Sequence, residues 1–123
     1  MDRMINGLII KSPYIDDILD GKKKYEIRGN NTRIRGKIVL LKSGSGIALG
    51  TVDIVSSEQW DLSQYNNWEY RKDNNKLPLD KLPYKMTYAW RLENPKWFDT
   101  PKKYIHPSGA IIWVKLDDSY GED

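Results

Sequence analysis

The chain has 123 residues, a net charge of +3 and a sequence pI of about 9.0, which suits one domain over 1–123 around a single core. It has no cysteine, which excludes disulfides, thiolate metal sites and cysteine nucleophiles. No apolar run approaches the roughly 20 residues of a membrane helix, so no membrane partner is expected.

Residues 5–11 read as a first strand, with Leu8, Ile9 and Ile10 apolar on both faces. Ser12-Pro13 predicts a helix start, with a hydroxyl at the N-cap and proline at the first helical position. Asp16 and Asp17 suit the positive end of the helix dipole, and Ile15, Ile18 and Leu19 form an apolar stripe. Gly21 supplies the C-terminal cap. A charged strand is predicted over 23–28. Alternation puts Lys24, Glu26 and Arg28 on one face and Lys23, Tyr25 and Ile27 on the other. A lysine in line with two apolar residues suits the mouth of a pocket.

Asn30-Asn31-Thr32 is turn material. Residues 37–42 and 47–55 form a predicted hairpin around Ser43-Gly44-Ser45-Gly46. Residues 56–87 predict one or two short helices, capped by Ser57 or Ser63, with 71–76 as a polar loop. A strand over 88–92 is closed by Glu93-Asn94-Pro95, and 96–108 read as a long connection. The last strand is 110–116, and the acidic tail 117–123 is expected to fray. About six short strands with glycine-rich reversals predict a mainly β (α+β) fold. The expected form is a small closed or nearly closed barrel with short helices on its rim.

Five Trp and eight Tyr stand against one Phe. Rings with a flat apolar face and a polar edge suit base stacking, and they also fill a small barrel. Tyr14, Tyr25 and Trp90 are the stacking candidates, whereas Trp113 is expected in the core. His106 is the only histidine, and no phosphate loop, dinucleotide fingerprint or zinc spacing is present. No cofactor or metal is therefore expected. The N-terminus lacks the apolar segment of a secretory signal, so a cytoplasmic location is expected.

Several runs resemble the ASCH domain family. They are Lys-Ser-Pro-Tyr at 11–14, Gly-Lys-Lys-Lys-Tyr-Glu-Ile-Arg at 21–28 and Gly-Thr-Val-Asp-Ile at 50–54, then Tyr-Ala-Trp-Arg-Leu-Glu-Asn-Pro at 88–95 and Gly-Ala-Ile-Ile-Trp-Val-Lys-Leu at 109–116. The resemblance covers nearly the whole chain, with the motifs in order. It implies a PUA-like β-barrel with a cleft beside the early helix, and binding of RNA or modified nucleosides. Some small bacterial members are amidohydrolases that remove the acetyl group from N4-acetylcytidine; others are reported as ribonucleases. In the amidohydrolases a lysine stands in a Lys-Thr-x-Thr-x-Arg run and works with a threonine and a later glutamate. By position that lysine is Lys23 and the arginine is Arg28, while Glu26 replaces the second threonine. Glu58, Glu69 and Glu93 are the candidates for the later glutamate.

The predicted binding set is Lys11, Ser12, Tyr14, Lys23, Tyr25, Glu26, Arg28 and Trp90; if the cleft is catalytic, Lys23 and Glu26 carry the chemistry. Residues three apart on an ideal strand face opposite ways, so a bulge or strand end is needed to bring Lys23 to Glu26. The plain alternative is a solvated Lys/Glu/Arg ladder. As cations, Lys23 and Arg28 hold phosphate; a neutral Lys23 would serve as base or nucleophile, and Glu26 nearby favours the charged form. Glu26 is a candidate acceptor for a base amino group. Lys11 and the amides after Ser12 attract anions. The leading reading is a module that binds RNA or a modified nucleoside or nucleotide. A hydrolase acting on the same ligands is the alternative, and a protein–protein adaptor is the third.

Overall fold

The computed structural model describes residues 3–122. In chain order the elements are β1 (Met4–Ile10), α1 (Tyr14–Leu19), β2 (Tyr25–Arg28), β3 (Gly36–Lys42), β4 (Ile47–Trp60), α2 (Leu62–Asn66), α3 (Glu69–Asp73), β5 (Thr87–Lys103) and β6 (Trp113–Asp117). A 3-10 turn over Asp118–Gly121 follows. The strands form one mixed sheet in the order β2-β5-β4-β3-β1-β6. Only β1 and β3 pair in parallel; the other neighbours are antiparallel. The expected six strands and short helices are present, but the expected barrel closure is not. Strands β2 and β6 are the edges of an open sheet. With four and five residues they carry few ladder groups to close with. No helix among the described residues is long and apolar enough to cross a membrane.

The continuous apolar runs of β1 and β3 are explained by burial on both sheet faces. On one face Leu8, Ile10, Ile38 and Leu40 pack with Val52, Ile54 and Leu92 under the α1 stripe of Ile15, Ile18 and Leu19. On the other, Ile9, Val39 and Leu41 pack with Val114, Leu116, Phe98 and Tyr104. The start of α1 differs from expectation. Pro13 occupies the N-cap, and the Ser12 hydroxyl donates to Asp16 at 2.6 Å instead of capping an amide. Gly21 follows the last cap residue with φ +80°, the left-handed conformation that glycine adopts without a Cβ penalty.

The hairpin forms as predicted, with Lys42 opposite Ile47 across the glycine-rich reversal. Its second strand, however, runs on to Trp60: 56–60 pair with 87–91 of β5, and its first residues, 47–51, pair with β5 beyond Glu93, from Lys96 to Lys103. Residues 96–103, read as a connection, are therefore strand. The chain passes Asn94-Pro95 by a bulge: Thr51 pairs with Lys96 and Asp53 with Glu93, so one extra residue of β5 is accommodated. Asn94 takes φ of 54° there and its amide donates to Asp53 at 2.9 Å. The proline thus falls where no ladder amide is required.

The middle segment holds two short helices, as expected, with other caps. Asp61 and Gln64 form a reciprocal capping box for α2, and Trp68 precedes α3; Ser57 lies inside β4 and Ser63 inside α2. The predicted polar loop is partly helical, because α3 runs to Asp73. The last strand starts at Trp113, later than predicted. The tail, expected to fray over 117–123, turns back on the sheet as far as it is described, Asp123 lying outside the described residues: the Asp118 amide donates to Arg3 and the Tyr120 hydroxyl to Lys103.

Candidate functional site

Strand β2 begins only at Tyr25, so Lys23 lies in the turn after α1 and escapes strand alternation. The amides of Lys22 and Lys23 both donate to the Asp17 carbonyl, which folds this turn tightly over the helix end. The strand end demanded by the spacing is thus present. The Lys23 ammonium donates to Glu26 Oε1 at 2.8 Å and to the Tyr25 carbonyl at 2.6 Å. Alternation keeps Glu26 and Arg28 on one face. Arg28 Nε donates to Glu26 Oε2 at 2.8 Å, Nη2 lies 2.7 Å from the same oxygen, and Nη2 also donates to the Ile9 carbonyl.

Only 5% of Lys23 and 7% of Glu26 is exposed. Burial by itself would raise the Glu26 carboxyl. The charges of Lys23 and then Arg28, with their hydrogen bonds, outweigh it and hold the group below its ordinary value. A buried ion cluster of this kind gains little net stability over apolar packing, so its retention asks for another reason.

The triad forms the floor of a cleft of about 410 Å³. Lys11 comes from the β1–α1 connection, Tyr14 from the first position of α1, and Tyr65, Trp68, Tyr70 and Arg71 from the α2–α3 segment. Lys76 and Tyr84 stand on the following loop. Trp68 and Tyr70 pack with centroids 5.1 Å apart. The Lys23 ammonium lies 5.5 Å from the Trp68 ring and 5.9 Å from the rings of Tyr14 and Tyr70, within cation–π reach. Tyr70 donates to Asp17 at 2.7 Å. Its hydroxyl is pushed well above the usual tyrosine range by burial, then by the bond to Asp17 and that carboxylate's charge. Arg71 stacks on Tyr65 with the guanidinium carbon 4.6 Å from the ring centroid. It donates to the Tyr65 hydroxyl at 3.1 Å and to the Leu77 carbonyl at 2.6 Å. Its Nε is buried with no hydrogen-bond partner among the described residues.

Five of the eight predicted residues therefore meet: Lys11, Tyr14, Lys23, Glu26 and Arg28. Ser12 is bound to Asp16 outside the cleft. Tyr25 points to the opposite face of β2 and packs on Trp60, with centroids 4.8 Å apart; it supports Trp68 from behind. Trp90 is core, 2% exposed, stacked on Trp113 and donating to the Asn30 carbonyl at 3.0 Å. Its link to the site is indirect, through the Arg28 guanidinium 5.8 Å from its ring. None of Glu58, Glu69 and Glu93 lines the cleft. Sequence reasoning missed Tyr65, Trp68, Tyr70, Arg71 and Lys76 as site residues. The aromatic density of 60–70 was visible, but without a period it could not be assigned to a face.

The family model for the ASCH domain matches residues 8–102. No curated protein matches the chain. Among solved structures, a tyrosine-to-phenylalanine mutant of ZmASCH from Zymomonas mobilis is similar with a TM-score of 0.66 and 13% identity, covering 96% of this chain and 94% of that one. ASCH from Zymomonas mobilis gives 0.64 and 12%, covering 94% and 89%. A serine-to-alanine mutant of ZmASCH gives 0.62 and 14%, covering 97% and 92%. At these identities the likeness is one of fold.

Proposed function

We propose, since the chain belongs to the ASCH domain family, that it is a cytoplasmic nucleic-acid-binding module that takes RNA or a modified nucleoside or nucleotide into this cleft. The observation that carries the reading is the buried Lys23–Glu26–Arg28 triad facing the Trp68–Tyr70 wall across a hollow of about 410 Å³. A base stacked on that wall gains roughly 1–3 kcal/mol. The cations on the floor meet carbonyl or phosphate oxygens with little reorganisation, because Glu26 already orients them.

The test is titration of short single-stranded RNA and of nucleosides against the protein at two salt concentrations. Binding is expected to be lost in Trp68→Ala and Arg28→Ala variants that keep the wild-type circular dichroism. Unchanged binding in both variants overturns the proposal. A hydrolytic reading has one observation in its favour, a proton donor and an acceptor 2.8 Å apart on the cleft floor. It predicts release of cytidine from N4-acetylcytidine, abolished in Lys23→Ala; no release by the wild type ends it.

A further inference from the structure

We infer that the cleft selects by hydrogen-bond acceptors and negative charge, so its occupant carries a phosphate: a nucleotide or a phosphodiester in a strand, in preference to a free nucleoside. This narrows the function proposed above and rests on it.

The argument is an account of donors and acceptors. Glu26 is the only carboxylate lining the cleft among the described residues, and both its oxygens are engaged, one by Lys23 and the other by two nitrogens of Arg28. It therefore positions the two cations and keeps only one lone pair, on Oε1, for a base amino group. The donors are in surplus. An ammonium has three N–H groups, and Lys23 uses two on protein oxygens. Arg28 uses Nε and Nη2, which leaves Nη1 without a hydrogen bond among the described residues. Arg71 Nε is buried and unpartnered among the described residues, a condition that is destabilising unless an acceptor arrives. Exposed Lys11 and Lys76 add charge at the rim. Among the described residues, five cationic side chains thus line the cleft against one carboxylate.

A ligand with only neutral groups would leave most of these donors unmatched. A phosphate supplies several acceptor oxygens and the missing negative charge, and guanidinium groups match it in geometry. Base carbonyls suit the remaining donors on the floor.

The probes are uridine, UMP for a free nucleotide and UpU for a strand phosphodiester, measured by calorimetry at low salt. UMP or UpU is expected to bind at least roughly tenfold tighter than uridine, the ratio expected of one or two charge-assisted hydrogen bonds. Which of the two binds tighter identifies the source of the phosphate. Arg71→Gln and Lys76→Gln should each weaken the phosphorylated ligand by a larger factor than uridine, so that the ratio between the two falls toward one. Lys76 is exposed, so its variant remains informative if Arg71→Gln disturbs the fold. Equal affinity for uridine, UMP and UpU, all lost in Trp68→Ala, overturns this inference and leaves the binding function standing. Absence of any binding, RNA included, overturns both.

Discussion

The Tyr70 hydroxyl donates to the Asp17 carboxylate at 2.7 Å and ties α3 to α1 across 53 residues of chain. Neither α2 nor α3 has a fully buried residue, so polar ties of this kind hold the aromatic wall against the cleft. Tyr70→Phe keeps the ring contacts and removes the tie. We expect global stability to fall by about 1 kcal/mol and amide exchange over 61–76 to accelerate by more than that loss explains. Equal protection in both proteins would contradict this assignment. The tie also has a pH signature. The folded state holds the Tyr70 proton more tightly than the unfolded chain. Its contribution is therefore complete below the ordinary tyrosine value of 10.0 and is lost as the pH rises above it. Alkaline titration of wild type against Tyr70→Phe should show the difference between them vanish at high pH.

Glu26 titrates in the opposite sense. Its folded carboxyl is held below the ordinary glutamate value of 4.5, so its stabilising contribution is present above 4.5 and is lost as the pH falls through the folded value. Glu26→Gln leaves Lys23 buried beside a neutral partner. A destabilisation of about 3 kcal/mol at neutral pH is expected, in the range for breaking a buried pair from one side. In urea melts the gap between wild type and variant should close on acidification. A gap independent of pH would show that the loss is one of packing.

Two tryptophans separate core from site. Trp90→Ala empties a buried position and should cost about 3–5 kcal/mol of stability. Trp90→Phe should cost less and leave ligand affinity unchanged. Trp68→Ala should do the reverse: a small shift in melting temperature and a loss of binding of roughly tenfold or more. Thermal melts paired with titrations check both. A Trp90→Phe variant that is stable yet unable to bind would return Trp90 to the cleft.

Gly50 reports on the β4–β5 bulge. A Cβ placed there would lie 2.2 Å from the Lys96 carbonyl oxygen and 2.7 Å from a Leu19 methyl. Backbone cannot yield as a flexible side chain does, so Gly50→Ala should cost about 1–3 kcal/mol or more. Gly21→Ala meets no atom within 4 Å, only an unfavourable φ of +80°, and should cost about 1 kcal/mol. A melt that ranks Gly21→Ala as the worse variant would show the bulge to be looser than described.

What the residue order determined by itself was local. Apolar runs marked β1 and β3, the spacing of Ile15, Ile18 and Leu19 marked α1, and the Ser-Gly-Ser-Gly reversal marked the β3–β4 hairpin, because each depends on periodicity or turn chemistry over a few residues. The pairing of Lys23 with Glu26 was conditional on where β2 begins, and backbone bonds to Asp17 decide that. Only the tertiary structure settled the open sheet, the extension of β5 past Pro95 and the burial of Trp90. It also placed the Trp68–Tyr70 wall over the triad. Each is a contact between segments far apart in the chain, where the partner and the register select the conformation and local preference is overridden.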